Sequence, residues 1–379
     1  MQDVEGRTPG RPTIAEVSLQ ALRENCRQAT ALVPPGVAVL AVVKADGYGH
    51  GAVAAARAFL DGGAAGLGVS MAAEGRELRR AGIDAPIVVL GGAFPGEEAA
   101  VVGDDLVAAV WTLEGGRALA AAARAAGRTA AVHLKVNTGM TRLGCEVADV
   151  RALGEALAAE PHLRLDGVFS HFASAEAVDT ETARAQIVRF AGGVEDLATA
   201  GIRPRWVHLA NSAAVLSRPS AHFTMVRPGI MLYGYAPAAH LASRARLRPA
   251  MRLRTRIAQV RDVPAGTATG YGGTWIAPRP SRIATLPIGY ADGYHRTASN
   301  RGNMLVAGRR VPVAGRVCMD HVMLDVTEVP GPRAGDAVTV FGPDLGADEV
   351  AGWSDTIAYE VLTSVGMRVP RVYVEEFDA

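Results

Sequence analysis

The stretch AVLAVVKADGYGHG, residues 38–51, runs an apolar, largely β-branched segment into one lysine, Lys44, and then into a glycine-rich turn. The first half reads as a buried strand and the second as the turn that leaves it. The same unit recurs along the chain. VAVLAVVK (37–44), GLGVS (66–70), PIVVLGG (86–92), LVAAVW (106–111), AVHLKVN (131–137), LDGVFSH (165–171), WVHLAN (206–211) and MVRPGIMLY (225–233) all carry the strand pattern. Alanine-rich helical runs such as EGGRALAAAARAAGR and EVADVRALGEALAAE lie between them. Eight strand–helix units close naturally into a parallel barrel, with a doubly wound sheet as the competing arrangement. The expected fold class is therefore α/β, a (β/α)8 TIM-like barrel over residues 1–245.

After about residue 245 the alanine-rich helices stop. RLRTRIAQVRDV, SRIATLPIG, NMLVAG, RRVPVAG, HVMLDVTEV and DAVTVFG read as strands punctuated by glycine and proline. A mostly-β C-terminal domain is expected over 246–379.

Composition narrows the function classes. Of 379 residues, 49% are hydrophobic, so a large core can be buried, and the net charge is only +1. There is no basic block, which argues against nucleic acid or an anionic membrane as partner. No apolar run approaches the ~20 residues of a spanning helix. The opening MQDVEGRTPGRP is polar and lacks an apolar signal core, so a cytoplasmic location is expected. Cys26, Cys145 and Cys318 are scattered, which fits neither a disulfide framework nor a zinc site. No metal is expected.

Active sites of such barrels lie at the C-terminal ends of the strands. Lys44, Lys135, His171, Asn211, Ser212, Arg227, Gly229 and Ile230 all fall there. Lys44 is the sharpest case. A desolvated amine has a lowered pKa and attacks aldehydes. The turn after it offers a phenol, Tyr48, and glycines that let backbone approach an anion. ANSAA and RPGI, after strands seven and eight, supply a hydroxyl and backbone N–H groups where barrels commonly hold phosphate. A small aldehyde carrying a phosphate satisfies both features, and pyridoxal 5'-phosphate is such a molecule.

AVVKADGYGHG, HLKVNTGMTRLG, VFSHFA, LANSAA, VRPGIMLYG, TGYGGTW, LPIGYADGY, GRVCMDHVMLDVT and IAYEVLTSVGMRVPR occur in this order over nearly the whole chain. In them the sequence resembles the alanine racemases, pyridoxal-phosphate enzymes of fold type III. The resemblance implies a racemase that interconverts L- and D-alanine and supplies D-alanine for peptidoglycan, working as a homodimer. Lys44 would hold the cofactor through its ε-amine and act as one base. Tyr271, reaching in from the partner subunit, would be the other. Arg142 would grip the substrate carboxylate, helped by the main-chain N–H of Met319. Tyr48, Ser212, Gly229, Ile230 and Tyr359 would surround the phosphate. Arg227 would face the pyridine nitrogen, with His171 beside the ring. Lys135 matches a position that carries a carbamate in many members. Tyr290, Asp292 and Arg296 match the entry corridor.

The chemistry fits these residue types. Racemisation takes a proton from one face of Cα and returns one to the other, so two groups must hold opposite protonation states. Lysine and tyrosine both titrate near ~10 when unperturbed, so both must be tuned. Burial and nearby cations would lower Lys44; positive charge on His171 and Arg227 is the expected influence on Tyr271. An arginine only donates, so Arg227 would resist protonating the pyridine nitrogen. Asn137, Ser18 and Met367 depart from the family's usual Asp, Asp and Pro. Rival readings are a racemase of serine or broader scope, a fold-type III amino-acid decarboxylase using Cys318, and a cofactor carrier, although carriers lack the second domain.

Overall fold

The structure is a computed structural model that describes residues 11–178 and 181–378. The polar stretch MQDVEGRTPG lies outside them. The chain divides into two compact units. One comprises Leu22–Gly47 and Ala52–Leu247; the other gathers the N-terminal segment through Ala21, Tyr48–Gly51 and Arg248–Ala379.

The first unit is a closed parallel barrel. Its strands are β2 (Ala38–Val42), β3 (Gly66–Val69), β4 (Ile87–Val89), β5 (Val107–Val110), β6 (Ala130–Asn137), β8 (Leu163–Phe169), β9 (Trp206–His208) and β10 (Met225–Val226). Two further short strands keep chain order: β1 (Ile14–Ser18) before the barrel, and β7 (Cys145–Glu146) on the edge of β6. Each barrel strand pairs in parallel with the next, and β10 pairs with β2 to close the ring. Every residue of β3 and β4 is buried, as expected of strands covered on both faces. Helices such as Ala52–Asp61, Leu113–Ala125 and Glu181–Thr199 alternate with the strands.

Two expected strand ends are shorter than the sequence pattern. The apolar run at 225–233 pairs only at Met225–Val226, after which Ile230–Tyr233 forms a 3-10 turn. Pro228 has no N–H for a ladder, and Gly229 turns the chain at φ −121, ψ −93. The neighbouring strand β2 stops at Val42, so Lys44 stands just beyond the strand rather than at its last position.

The second unit is mostly β. With β11 (Met251–Arg256), β12 (Gln259–Val263), β13 (Ala268–Thr269), β14 (Trp275–Ile276), β15 (Ser281–Leu286), β16 (Asn303–Val306), β17 (Arg309–Pro312), β18 (Val322–Asp325), β19 (Ala337–Phe341) and β20 (Arg371–Val374), it builds a six-stranded sheet ordered β17-β16-β19-β11-β1-β20. A three-stranded sheet β12-β15-β18 and a hairpin β13-β14 complete it. This corrects the expected division, which gave residues 1–245 to the barrel. The N-terminal strand β1 pairs antiparallel with β11 and parallel with β20, placing Ile14 opposite Arg254 and Ala15 opposite Arg371.

The N-terminal segment is also tied in by charge. Asp292 is fully buried and accepts from Arg11 at 2.5 and 2.7 Å, from Arg368 at 2.7 and 3.2 Å and from the N–H of Gly289 at 2.9 Å. Burial alone raises its carboxyl, but the hydrogen bonds from Arg11, Arg368 and Gly289 hold it below the usual carboxylate range. Asp292, expected in the entry corridor, thus ties the segment around Arg11 to that around Arg368.

Candidate active site

At the mouth of the barrel the backbone after β2 takes a rare shape. Ala45, Asp46, Gly47 and Tyr48 all have φ between 52 and 59. Left-handed backbone in non-glycine residues costs energy and persists only where neighbours enforce it. Three bonds enforce it here. The N–H of Ala45 donates to Glu74 Oε1 at 2.7 Å, Gly47 N–H donates to Val43 O at 2.9 Å, and Asp46 Oδ1 accepts from Ala52 N–H at 2.8 Å. Glu74 is itself anchored, its Oε2 accepting from Ser70 and Met71 N–H at 2.7 and 3.1 Å. The turn lifts Lys44 out of the strand ladder while leaving it half-buried. Burial, then the charge of Arg142, lowers its pKa, with Glu74 opposing.

Lys44 shares this mouth with three more cations. Lys135, near the end of β6, donates to Leu90 O at 3.3 Å and lies 5.2 Å from the Phe169 ring centroid. Burial and then Arg142, Arg227 and Lys44 pull it down to about 8. Arg142 stands on the exposed loop after β6, which Asn137 organises: its Oδ1 accepts from Gly139 and Thr141 N–H at 3.1 and 3.0 Å, and its Nδ2 donates to Glu146 at 2.9 Å. Lys135, Arg142 and His171 line one small cavity of about 10 Å³.

Arg227 is 3% exposed, and burial lowers even its guanidinium to about 9. Nη1 donates to His208 Nδ1 and His208 O, both at 2.9 Å. Nη2 donates to Ser170 O at 2.6 Å, to His171 Nδ1 at 3.2 Å and to Leu209 O at 3.3 Å. Nε–H is the one donor left without a partner among the described residues. His171 is held neutral, by burial first and then by Arg227, Arg142, Lys135 and Lys44. This corrects one expectation: a neutral His171 brings no positive charge to bear on Tyr271.

Ser212 follows Asn211, which caps its helix by accepting from Ala214 N–H at 3.1 Å. Ser212 Oγ accepts from Gly229 N–H at 2.8 Å and Met231 N–H at 3.4 Å, which leaves its own O–H to donate. Ser212, Gly229 and Ile230 thus meet at the ends of β9 and β10.

The other expected site residues belong to the second unit. Tyr48 and Tyr359 have ring centroids 6.1 Å apart, and burial raises Tyr48, which keeps its phenol protonated. Tyr271 is 70% exposed, on a turn between β13 and β14 where Gly270 and Gly272 have φ of 72 and 73. Met319 is exposed, and its carbonyl accepts from Ala291 N–H at 3.1 Å. Glu74 and Ser170 escaped the sequence reading, since Glu74 acts on backbone N–H groups and Ser170, through its carbonyl, on Arg227, all brought near by folding. The only local signal for Glu74 was a carboxylate opening a helix. Among the described residues no cluster of His, Cys, Asp and Glu could hold a metal, and no helix is long and apolar enough to cross a membrane.

The donors of this site suit pyridoxal 5'-phosphate. They comprise a depressed amine, four cations at one mouth, an unused arginine N–H and a hydroxyl with a proton to give.

Known proteins carry the same plan. The model of the alanine racemase N-terminal domain matches residues 17–237, and that of the C-terminal domain matches 250–373. The alanine racemase of Geobacter sulfurreducens is 45% identical over 96% of this chain and 97% of its own, and that of Desulfovibrio desulfuricans is 45% identical over 96% and 99%. The solved alanine racemase of Streptomyces lavendulae superposes with TM-score 0.92 at 39% identity, covering 98% of this chain and 99% of that one. The Bacillus anthracis enzyme, solved with bound L-Ala-P, gives TM-score 0.91 at 35% identity, covering 97% and 96%. With both domain families matched in order and near-complete coverage at such identity, the chain belongs to the alanine racemase family, an isomerase built on a TIM-like barrel and a C-terminal β domain.

Proposed function

We propose that the chain interconverts L- and D-alanine with pyridoxal 5'-phosphate held on Lys44, by proton transfer on opposite faces of Cα. The observation that carries this reading is the Lys44 amine, desolvated and depressed, among Lys135, Arg142 and Arg227. The bound cofactor would supply an electron-withdrawing ring that acidifies the Cα–H of the amino acid.

The chain's residues would do the rest. The ε-amine of Lys44 takes or returns the proton on one face, and the phenol of Tyr271 serves the other. Arg142 binds the substrate carboxylate as a planar fork, helped by Met319 N–H. Ser212 donates its free O–H to the phosphate, with Gly229 and Ile230 shaping that end of the barrel and the phenols of Tyr48 and Tyr359 as further donors. Arg227 would offer its spare Nε–H to the ring nitrogen and, keeping its own proton, would not protonate it. His171, neutral, buttresses Arg227. Lys135 has the low pKa that reaction with CO2 requires, and the small cavity beside it suits a carbamate directed at Arg142. Alanine as substrate follows the relatives' names and the L-Ala-P of the Bacillus anthracis enzyme. A cytoplasmic homodimer supplying D-alanine for peptidoglycan completes the reading. Tyr271, Ile276, Met319 and Ile357 are large apolar groups left exposed on the second unit, as a dimer surface requires.

A decarboxylase would need a reactive thiol, but burial raises Cys318 instead of lowering it. The deciding experiment incubates the holoenzyme with each L-amino acid, serine included, in D2O. Inversion with Cα label only for alanine is the expected result; CO2 release, or bound cofactor without exchange, would refute it. Borohydride treatment of the holoenzyme should fix the vitamin B6 group on Lys44 alone. Tyr271→Phe should slow racemisation by about 10²–10⁴-fold while one-face exchange survives.

A further inference from the structure

The opposite end of the barrel from Lys44 holds a space of its own. A cavity of about 350 Å³ lies at the N-terminal ends of the strands, walled by Leu40, Val88, Leu106, Trp206 and Met225, with His133 also lining it. That end of a barrel is ordinarily packed for stability. Here Gly66 opens β3, while Ala130 and Ala131 open β6, so little side-chain volume reaches inward.

His133 is 1% exposed and its hydrogen-bonding state can be deduced. Arginine only donates, so Arg227 Nη1 makes His208 Nδ1 an acceptor across 2.9 Å. Both rings are neutral, since burial above all lowers His208 well below its usual value and His133 to about 4. The proton of His208 is then on Nε2, which donates to His133 Nδ1 at 2.9 Å. The proton of His133 must accordingly be on Nε2. That atom has no partner among the described residues and is not fully enclosed. A chain from Arg227 through His208 thus leaves one N–H donor on a residue that lines this cavity, with no partner among the described residues to answer it.

The rim does not select charge. Arg79, Arg128, Arg164 and Arg205 stand against Asp84, Asp105 and Asp166. Arg79 and Arg128 spend their donors on backbone carbonyls, Arg164 pairs with Asp166 at 3.4 Å, and Arg205 lies 4.3 Å from the Trp206 ring centroid. Behind the charged rim Leu40, Val88 and Met225 form one apolar cluster with Trp206 packed against it, so the inner wall suits an apolar body and His133 one neutral acceptor.

We propose that this cavity is a second ligand site, taking a small apolar molecule whose single carbonyl or ether oxygen accepts from Nε2–H of His133.

Cyclohexanone is a suitable probe and methylenecyclohexane its counterpart without an acceptor. Calorimetric titration of the holoenzyme, with racemic alanine saturating, should show one ketone bound per chain. Methylenecyclohexane should bind about tenfold more weakly, the equivalent of one hydrogen bond. Ala131→Phe, which fills the space from the start of β6, should abolish binding; His133→Phe should reduce the ketone to the hydrocarbon's affinity. If His133→Phe does not fold, the ketone–hydrocarbon comparison on the native holoenzyme still decides. No saturable binding, equal affinity for both probes, displacement by alanine, or binding unchanged in Ala131→Phe would each overturn the proposal.

Discussion

The N–H of Ala45, directly after Lys44, donates to Glu74 Oε1 at 2.7 Å, and the same carboxylate accepts from Ser70 and Met71 N–H. One side chain therefore pins the left-handed turn that presents Lys44 to the first turn of a neighbouring helix. Glu74→Ala removes these acceptors and lets the turn relax. The expected outcome is a loss of about 1–2 kcal/mol in stability, read by denaturant titration, and cofactor affinity at least several-fold weaker, read by absorbance titration of the apoenzyme. Unchanged cofactor affinity would mean that the turn holds itself.

Asn137 shapes the loop that carries Arg142. Asn137→Ala loses two accepted N–H bonds and the bond to Glu146, so the substrate carboxylate meets a less ordered arginine. A KM for alanine raised several-fold with kcat little changed is expected from steady-state kinetics. Asn137→Asp keeps the acceptor but sets a carboxylate against Glu146, so its KM should rise with pH through the carboxylate range. A pure kcat defect in either variant would separate Asn137 from substrate binding.

Lys135 makes stability climb with alkalinity. Its folded pKa is about 8, against 10.5 for the free amine, so the unfolded chain binds more protons between those values. Stability from this residue therefore rises as pH goes from about 8 to about 10.5 and is lowest below 8. The difference in unfolding free energy between the native chain and Lys135→Met should change by up to about 1 kcal/mol per pH unit across that window. Supplying ¹³C-labelled bicarbonate near pH 8 should give a carbamate carbon signal in the native chain that Lys135→Met lacks.

Asp292 behaves with the opposite sign. Its pKa is depressed by Arg11, Arg368 and Gly289, so its contribution is full above about 4 and is lost as pH falls through the lower folded value. Asp292→Asn should cost about 1–3 kcal/mol at neutral pH, allowing for solvent around the arginines, and should flatten the acid limb of the stability profile. Equal acid sensitivity in both chains would show that the clamp carries no net energy.

Much of the fold was legible because strand periodicity is local. Eight apolar runs separated by alanine-rich helices leave few closed arrangements, and the end of the alanine-rich helices near 245 marks the second unit. The N-terminal strand escaped that logic. Nothing in IAEVS says that its partners are Met251–Arg256 and Arg371–Val374, more than two hundred residues away. Lys44, Ser212 and Arg227 were visible as polar residues closing apolar runs.

The sequence by itself determined the chemistry on offer: an amine, a guanidinium, a hydroxyl and phenols at positions matching a known order. Tertiary structure alone decided their states. Lys44 and Lys135 are depressed, His171 is neutral and Arg227 has a single N–H to spare, because protonation and hydrogen-bond allocation depend on burial and on charges contributed by distant strands. The cavity beneath the barrel is likewise invisible in the letters, since a void is set by which small residues meet across a closed ring.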